Sequence, residues 1–323
     1  MKNLRLLGLS LFLFCGCVEH LFFIRIFPEG QTEFIIRSTG DSTDIYDSDF
    51  LHPMDTQTWI TSITKEIRDD DPVWIKESKG FISTEYTSFP GDEHFGVQQY
   101  PMEVSKTIGW ITTTYSYSQT FSGRGIYTKV PLLGEAIRNN EAADSTQWKT
   151  ESFNYIIRNG LNTASLDTSL ILPYGMEERL LTHFNNYLSR VDYEQLYTEL
   201  TTNKLNLLHT ILAPFSNELP VEFIPKLATA MIPFEHDIFV IMELQDDQFK
   251  FAIIMPGRIV ETNADTLAGD TLKWSFGLNE FLNDSYTLQA QSIVISTTTF
   301  QKIVIFFTLL ISLIFFSLWI KKR

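Results

Sequence analysis

Cysteine is nearly missing from this 323-residue chain: Cys15 and Cys17 are its only two. Everything after residue 17 is therefore free of disulfides, zinc–thiolate clusters and cysteine nucleophiles. Histidine is sparse as well. His20, His52, His94, His183, His209 and His236 never fall at metal-ligand spacing, and there is no HExxH, so no metal is expected. The GxSxG elbow, the P-loop and GxGxxG are absent too, which removes the common hydrolase and nucleotide-binding signatures. No cofactor is expected, and there is no internal repeat.

What is present begins at the two ends. Lys2 and Arg5 precede an apolar stretch from Leu6 to Phe14, the anatomy of a secretory signal. Cys15-Gly16-Cys17 follows. A small residue before a cysteine is similar to the lipobox of bacterial lipoproteins, which makes Cys17 the candidate for lipidation. An ordinary cleaved signal and an uncleaved anchor are the alternatives. At the other end, residues 303–320 are Ile, Val, Phe, Leu and Trp relieved only by Thr308, Ser312 and Ser317. At ~1.5 Å per residue such a run spans roughly 27 Å, close to one hydrocarbon core. The Lys321-Lys322-Arg323 tail is expected in the cytoplasm by the positive-inside rule. The sequence thus predicts a signal peptide over 1–17, an extracytoplasmic domain over 18–300, a transmembrane helix over 303–320 and a basic tail over 321–323. The expected location is a bacterial cell membrane, crossed once.

Every acidic residue lies in the expected external part. It holds 39 acidic against 19 of the 25 basic side chains, a formal charge of −20 in a chain of −14. A surface of that sign repels nucleic acid, which is excluded as a partner.

The pattern between the ends reads α+β, with helices on an antiparallel sheet. Residues 20–130 are mostly strand. His20–Phe27 and Thr32–Ser38 flank the turn Pro28-Glu29-Gly30-Gln31, a hairpin signal. Trp59–Ile63, Val73–Ile75 and Ile108–Phe121 are further strands, and Arg124–Val130 is expected to pair with the last of these. Residues 131–233 are helical. The spacing of Leu180, Leu181, Phe184, Tyr187, Leu188 and Val191 is that of an amphipathic helix. Asp192 with Gln195 resembles a capping box, and a short helix is expected over Val221–Met231. Residues 236–297 read as a closing meander with strands Asp237–Leu244, Phe249–Met255, Arg258–Thr262, Thr271–Phe276 and Tyr286–Ser296. The whole is expected to form one domain.

Pro256-Gly257, Asn263, Gly269-Asp270, Trp274 and Phe276 lie in an order that resembles the closing hairpin of the LppM-like lipoprotein domain. The lipobox cysteine, the hairpin after it and the C-terminal membrane helix are similar as well. The motif covers about a tenth of the chain, and the helical middle departs from the family. The resemblance implies an envelope lipoprotein, with lipid binding as the activity usually suggested.

Two acidic clusters, Asp41/Asp44/Asp47/Asp49 and Asp69-Asp70-Asp71, lack the spacing of a calcium loop and read as solvated turns. Tyr115, Tyr117, Trp274 and Phe276 sit on strands and either fill the core or line an apolar groove. Three functions compete. The first is a non-catalytic envelope lipoprotein that binds a lipid or other apolar ligand. The second is a membrane-tethered domain that docks another envelope protein. The third is an enzyme whose site carries no known signature.

Overall fold

A computed structural model describes residues 19–46, 52, 59–68, 71–82, 102–139, 147–167, 170, 172–191 and 193–321. The signal segment with Cys17, Asp47, Asp49, Asp69, Asp70, the loop before Met102 and the Asp192 cap lie outside the described residues. The fold is α+β, and the expected single domain is divided. The chain forms two compact units, 1–122 with 247–276 and 286–323, and 123–246 with 277–285.

The first unit holds two sheets. β1 (Glu19–Ile26) and β2 (Thr32–Gly40) form the expected hairpin, with Gly30 at φ 100° in its turn. Alternate residues enter the core: His20, Phe22, Ile24 and Ile26 from β1, and Thr32, Phe34, Ile36 and Ser38 from β2. A second hairpin, β3 (Trp59–Arg68) and β4 (Asp71–Ile82), adds to β2 and is far longer than the short runs read from the sequence. On the other side β1 pairs with β7 (Gln248–Ile254), and this pairing is parallel. The expected purely antiparallel sheet is therefore mixed. β10 (Thr271–Gly277) and the short β9 (Thr266–Ala268) complete the order β3-β4-β2-β1-β7-β10-β9.

The second sheet has the order β5-β6-β11-β8, formed by β5 (Met102–Ile108), β6 (Thr112–Phe121), β11 (Tyr286–Ile295) and β8 (Arg258–Thr262). The single strand expected over 108–121 is thus two strands with a turn at 109–111. The expected closing meander is shared between the two sheets. Phe121 of β6 joins those sheets, with its ring 4.8 Å from Phe276 and 5.7 Å from Phe251, both edge-on. Phe22 and Phe251 stack at 4.2 Å beneath them. The sequence acidic loop begins with a short helix, α1 (Ser42–Tyr46).

The second unit is helical. α2 (Ile126–Lys129) stands where a strand was expected, because Gly125 takes a left-handed φ of 61° and Pro131 then opens α3 (Pro131–Arg138). α4 (Gln147–Ser165), α5 (Met176–Leu188), α6 (Tyr193–Leu212) and α7 (Phe223–Glu243) follow, with α6 kinked at Asn203. α7 overturns two expectations. It runs well past Met231, with Pro225 in its first turn, where a missing N–H is harmless, and Asp237–Glu243 continues the helix, followed by a 3-10 turn from Leu244, instead of forming a strand. Ile238, Ile241 and Leu244 are all buried at a helical spacing of three, so the β-branched character of Ile238 and Ile241 yields to packing. Gly160 lets α4 approach α7 closely, since a Cβ there would sit 2.5 Å from Met231 Cγ.

After β11, α8 (Thr297–Lys321) is a 25-residue helix containing the apolar run. Its described side chains from Val304 to Ile314 are exposed. Among the described residues no helix is long and apolar enough to cross a membrane. The side chains at 303, 315–318 and 320, within the expected span, lie outside that description.

Candidate functional site

The residues proposed for an apolar groove fill the core. Trp274 is 1% exposed, and Phe276, Tyr115 and Tyr117 are buried as well. Tyr115 and Tyr117 come from β6, Trp274 and Phe276 from β10, and Phe276 packs against Phe121, Phe249, Phe251 and Tyr286. Tyr115 donates from its hydroxyl to the Pro28 carbonyl at 2.7 Å. Tyr117 donates to Gln119 Oε1, and burial pushes its phenol well above the ordinary value. Cys17 lies outside the described residues.

The turn residues of the closing motif have physical reasons to be there. Gly257 has φ 82°, and a Cβ on it would lie 2.2 Å from the Ile293 carbonyl oxygen, so only glycine fits. Asn263 is a junction between strands. Its Oδ1 accepts from Trp274 Nε1 at 3.1 Å and from the Gln289 amide at 2.8 Å, while its Nδ2 donates to the Thr287 carbonyl at 2.7 Å. Trp274 is thereby buried with its one polar atom satisfied.

A polar chain not anticipated from the residue pattern crosses four adjacent strands. His20 of β1 contacts Asp247 through Nε2 at 3.2 Å and Ser38 Oγ through Nδ1 at 2.7 Å. Ser38 Oγ contacts His52 Nε2 at 2.7 Å, His52 Nδ1 contacts Ser78 Oγ at 2.9 Å, and Ser78 contacts Thr61 Oγ1 at 2.7 Å. One assignment satisfies every contact with both rings neutral: Thr61 donates to Ser78, Ser78 to His52, His52 to Ser38, Ser38 to His20, and His20 to Asp247. Burial, then the nearby Lys76 and His20, hold His52 down at about 3. Its ring therefore stays neutral across the physiological range.

Asp247, His20 and Ser38 stand in the order of an acyl-transfer triad. Ser38 is only 3% exposed, however, and its Oγ sits between two imidazoles. A nucleophile must reach its substrate, and this hydroxyl is enclosed. The chain instead ties β1, β2, β3 and β4 to Asp247 and the loop residue His52. It was hidden because His20 and Ser38 are far apart in sequence and meet only through strand register. The available signal was their place at i−2 to Phe22 and i+2 to Ile36, on the faces that enter the core.

Among the described residues no group of three or more His, Cys, Asp or Glu side chains could hold a metal ion. In the helical unit, a recess of about 430 Å³ along α5 is lined by Arg179, His183, Asn186 and Phe215 among others. The Arg179 guanidinium lies 5.3 Å from the Phe215 ring centroid and binds Glu218 through two nitrogens at 2.6 and 3.0 Å. His183 contacts the Ile211 carbonyl through Nε2 at 2.7 Å. Arg179 and His183 are thus engaged in holding α5 to the last turn of α6 and the segment after it.

No protein-family model matches the chain, and no curated protein matches it. Among solved structures, the NMR structure of the folded domain of LppM from Mycobacterium tuberculosis aligns with 93% of this chain and 98% of that one. The identity is 8% and the TM-score 0.30. A likeness at that level carries no argument about activity or ligand, and the motif residues above remain the basis of the resemblance.

Proposed function

We propose that this chain is a non-catalytic cell-envelope lipoprotein, acylated at Cys17 and crossing the membrane once through α8, with its folded units outside the cytoplasm. The observation that carries this reading is α8 itself. A 25-residue helix displays Val304, Ile305, Phe306, Phe307, Leu309 and Leu310 to the outside. Such a surface is costly in water and favourable in lipid. The sequence around it supports the same reading, with an apolar run over 303–320 and three basic residues after it.

Burial of Tyr115, Tyr117, Trp274 and Phe276 deprives an apolar-ligand groove of the residues first considered for it. This favours the second role, a membrane-tethered domain that works by docking another envelope protein. Enclosure of Ser38 supports a non-catalytic role.

Two experiments on the full chain test the anchors. Metabolic labelling with an alkyne fatty acid should mark the wild type and Cys15→Ser and miss Cys17→Ser. Alkaline carbonate should leave the wild type in the membrane pellet. A chain ending at Ser296 should be extracted more readily than the wild type, and equal retention of the two would overturn the spanning helix.

A further inference from the structure

A two-residue hairpin turn normally carries glycine, asparagine or aspartate, because these tolerate its backbone and its exposure. The β5–β6 turn breaks that rule. Gly109 donates its amide to the Thr112 carbonyl at 2.8 Å and closes the hairpin, so Trp110 and Ile111 form the tip. Trp110 is 91% exposed and Ile108 beside it 75%. Among the described residues neither side chain is covered by the packing of the sheet.

The place of this tip in the fold supplies a reason. β6 pairs along its whole length with β11, and Ile295 lies opposite Thr112. The ladder continues one step further, with the Ser296 amide donating to the Ile111 carbonyl at 2.8 Å. Ser296 immediately precedes Thr297, the first residue of α8. Ile295 is itself 55% exposed. The exposed apolar tip is therefore bonded through its backbone to the root of the membrane helix.

Charge agrees with that position. In a chain of net charge −14, residues 104–134 and 285–323 contain no Asp or Glu, yet Lys106 and Lys302 lie in them. Glu29, on the neighbouring hairpin turn, acts on Tyr115, further along β6. Tryptophan with aliphatic neighbours and flanking lysines is the composition of a membrane–water interface.

We propose that the Ile108-Gly109-Trp110-Ile111 turn inserts into the interface of the bilayer that α8 crosses. It gives the sheet-bearing unit a second contact with lipid and fixes its orientation at the surface. The proposal rests on the reading of α8 as a membrane span, and the test separates the two.

The full chain is reconstituted in phosphatidylcholine vesicles whose acyl chains are brominated, which quench tryptophan within the bilayer. The contributions of Trp110 and Trp319 are read by difference from Trp110→Phe and Trp319→Phe variants. The Trp110 difference signal should fall by more than about half on bromination, as expected for an interfacial indole. Quenching of Trp319 with none of Trp110 would overturn the turn insertion and leave the anchor standing. Quenching of Trp110 alone would defeat the spanning helix, and quenching of neither would defeat both. A double variant, Ile108→Ser with Trp110→Ser, removes only exposed side chains and should melt with the wild type.

Discussion

The seven-stranded sheet has two kinds of interior. Around β7 and β10 it is aromatic: Phe249, Phe251 and Phe276 contact Phe121 of the other sheet, Phe22 stacks on Phe251, and Trp274 is buried on β10. Across β1 to β4, at His20, Ser38, Ser78, His52 and Thr61, it is a chain of hydrogen bonds. Both lie on the same alternation of side chains, so period alone does not separate them. Their energetics differ. The aromatic part is stabilised by area removed from water, without direction and without dependence on pH. The polar part is stable only while each donor meets its acceptor and each ring keeps its proton count.

Truncation in the aromatic part should have the largest effect. Trp274→Ala should cost ~3–5 kcal/mol, the range for large buried aromatics, and lower the denaturant midpoint or prevent folding. A ΔΔG below about 1 kcal/mol would show that the site is loosely packed.

Acid should act on the polar part and spare the aromatic one. Folded His52 binds its proton only near pH 3, against 6.5 for the ordinary side chain. Above 6.5 it makes no difference. Between 6.5 and about 3 the unfolded chain takes up a proton that the folded chain refuses, so stability falls, by roughly 1.4 kcal/mol per pH unit. The loss between pH 7 and pH 4.5 should be about 3 kcal/mol in the wild type and absent from that source in His52→Gln. Equal acid sensitivity of the two proteins would contradict the burial of a neutral ring.

Ser38→Ala removes the hydroxyl that bridges the two histidines. It should cost ~1–3 kcal/mol, the penalty of an orphaned buried polar group. Hydrogen exchange should report the loss first at β1 and β2. Asn263→Ala removes the acceptor of Trp274 Nε1 and of the Gln289 amide, at a cost of about the same size. Arg37→Ala lies at the small end. It breaks an exposed cross-strand pair with Glu77, and the change should stay below about 1 kcal/mol.

The same division explains how much was legible beforehand. The β1–β2 hairpin follows from alternation on both sides of Pro28-Glu29-Gly30-Gln31, all local information. Trp274 and Phe276 followed from period two on one strand. The parallel pairing of β1 with β7 brings Glu19 beside Gln248, and no local pattern encodes so distant a neighbour. The second half of α7 reads as a strand because Ile238, Phe239, Val240 and Ile241 have strand propensity, which tertiary packing overrides. The polar chain required register from three strand pairs before His20 and His52 could be placed together. At the β5–β6 tip the sequence is legible only in reverse: Ile108–Phe121 reads as one strand, and Trp110 and Ile111 carry no turn signal that would divide it. That conflict between local rule and structure is what marks the tip as a site under another constraint.

The central claim is that α8 crosses a membrane with its basic tail in the cytoplasm, and a pair of reporter fusions tests it most directly. A reporter active only in the cytoplasm should work when joined after Arg323 and stay silent when joined after Ser296 in a chain ending there. Activity at Ser296, or silence at Arg323 in a stably expressed fusion, would contradict the account.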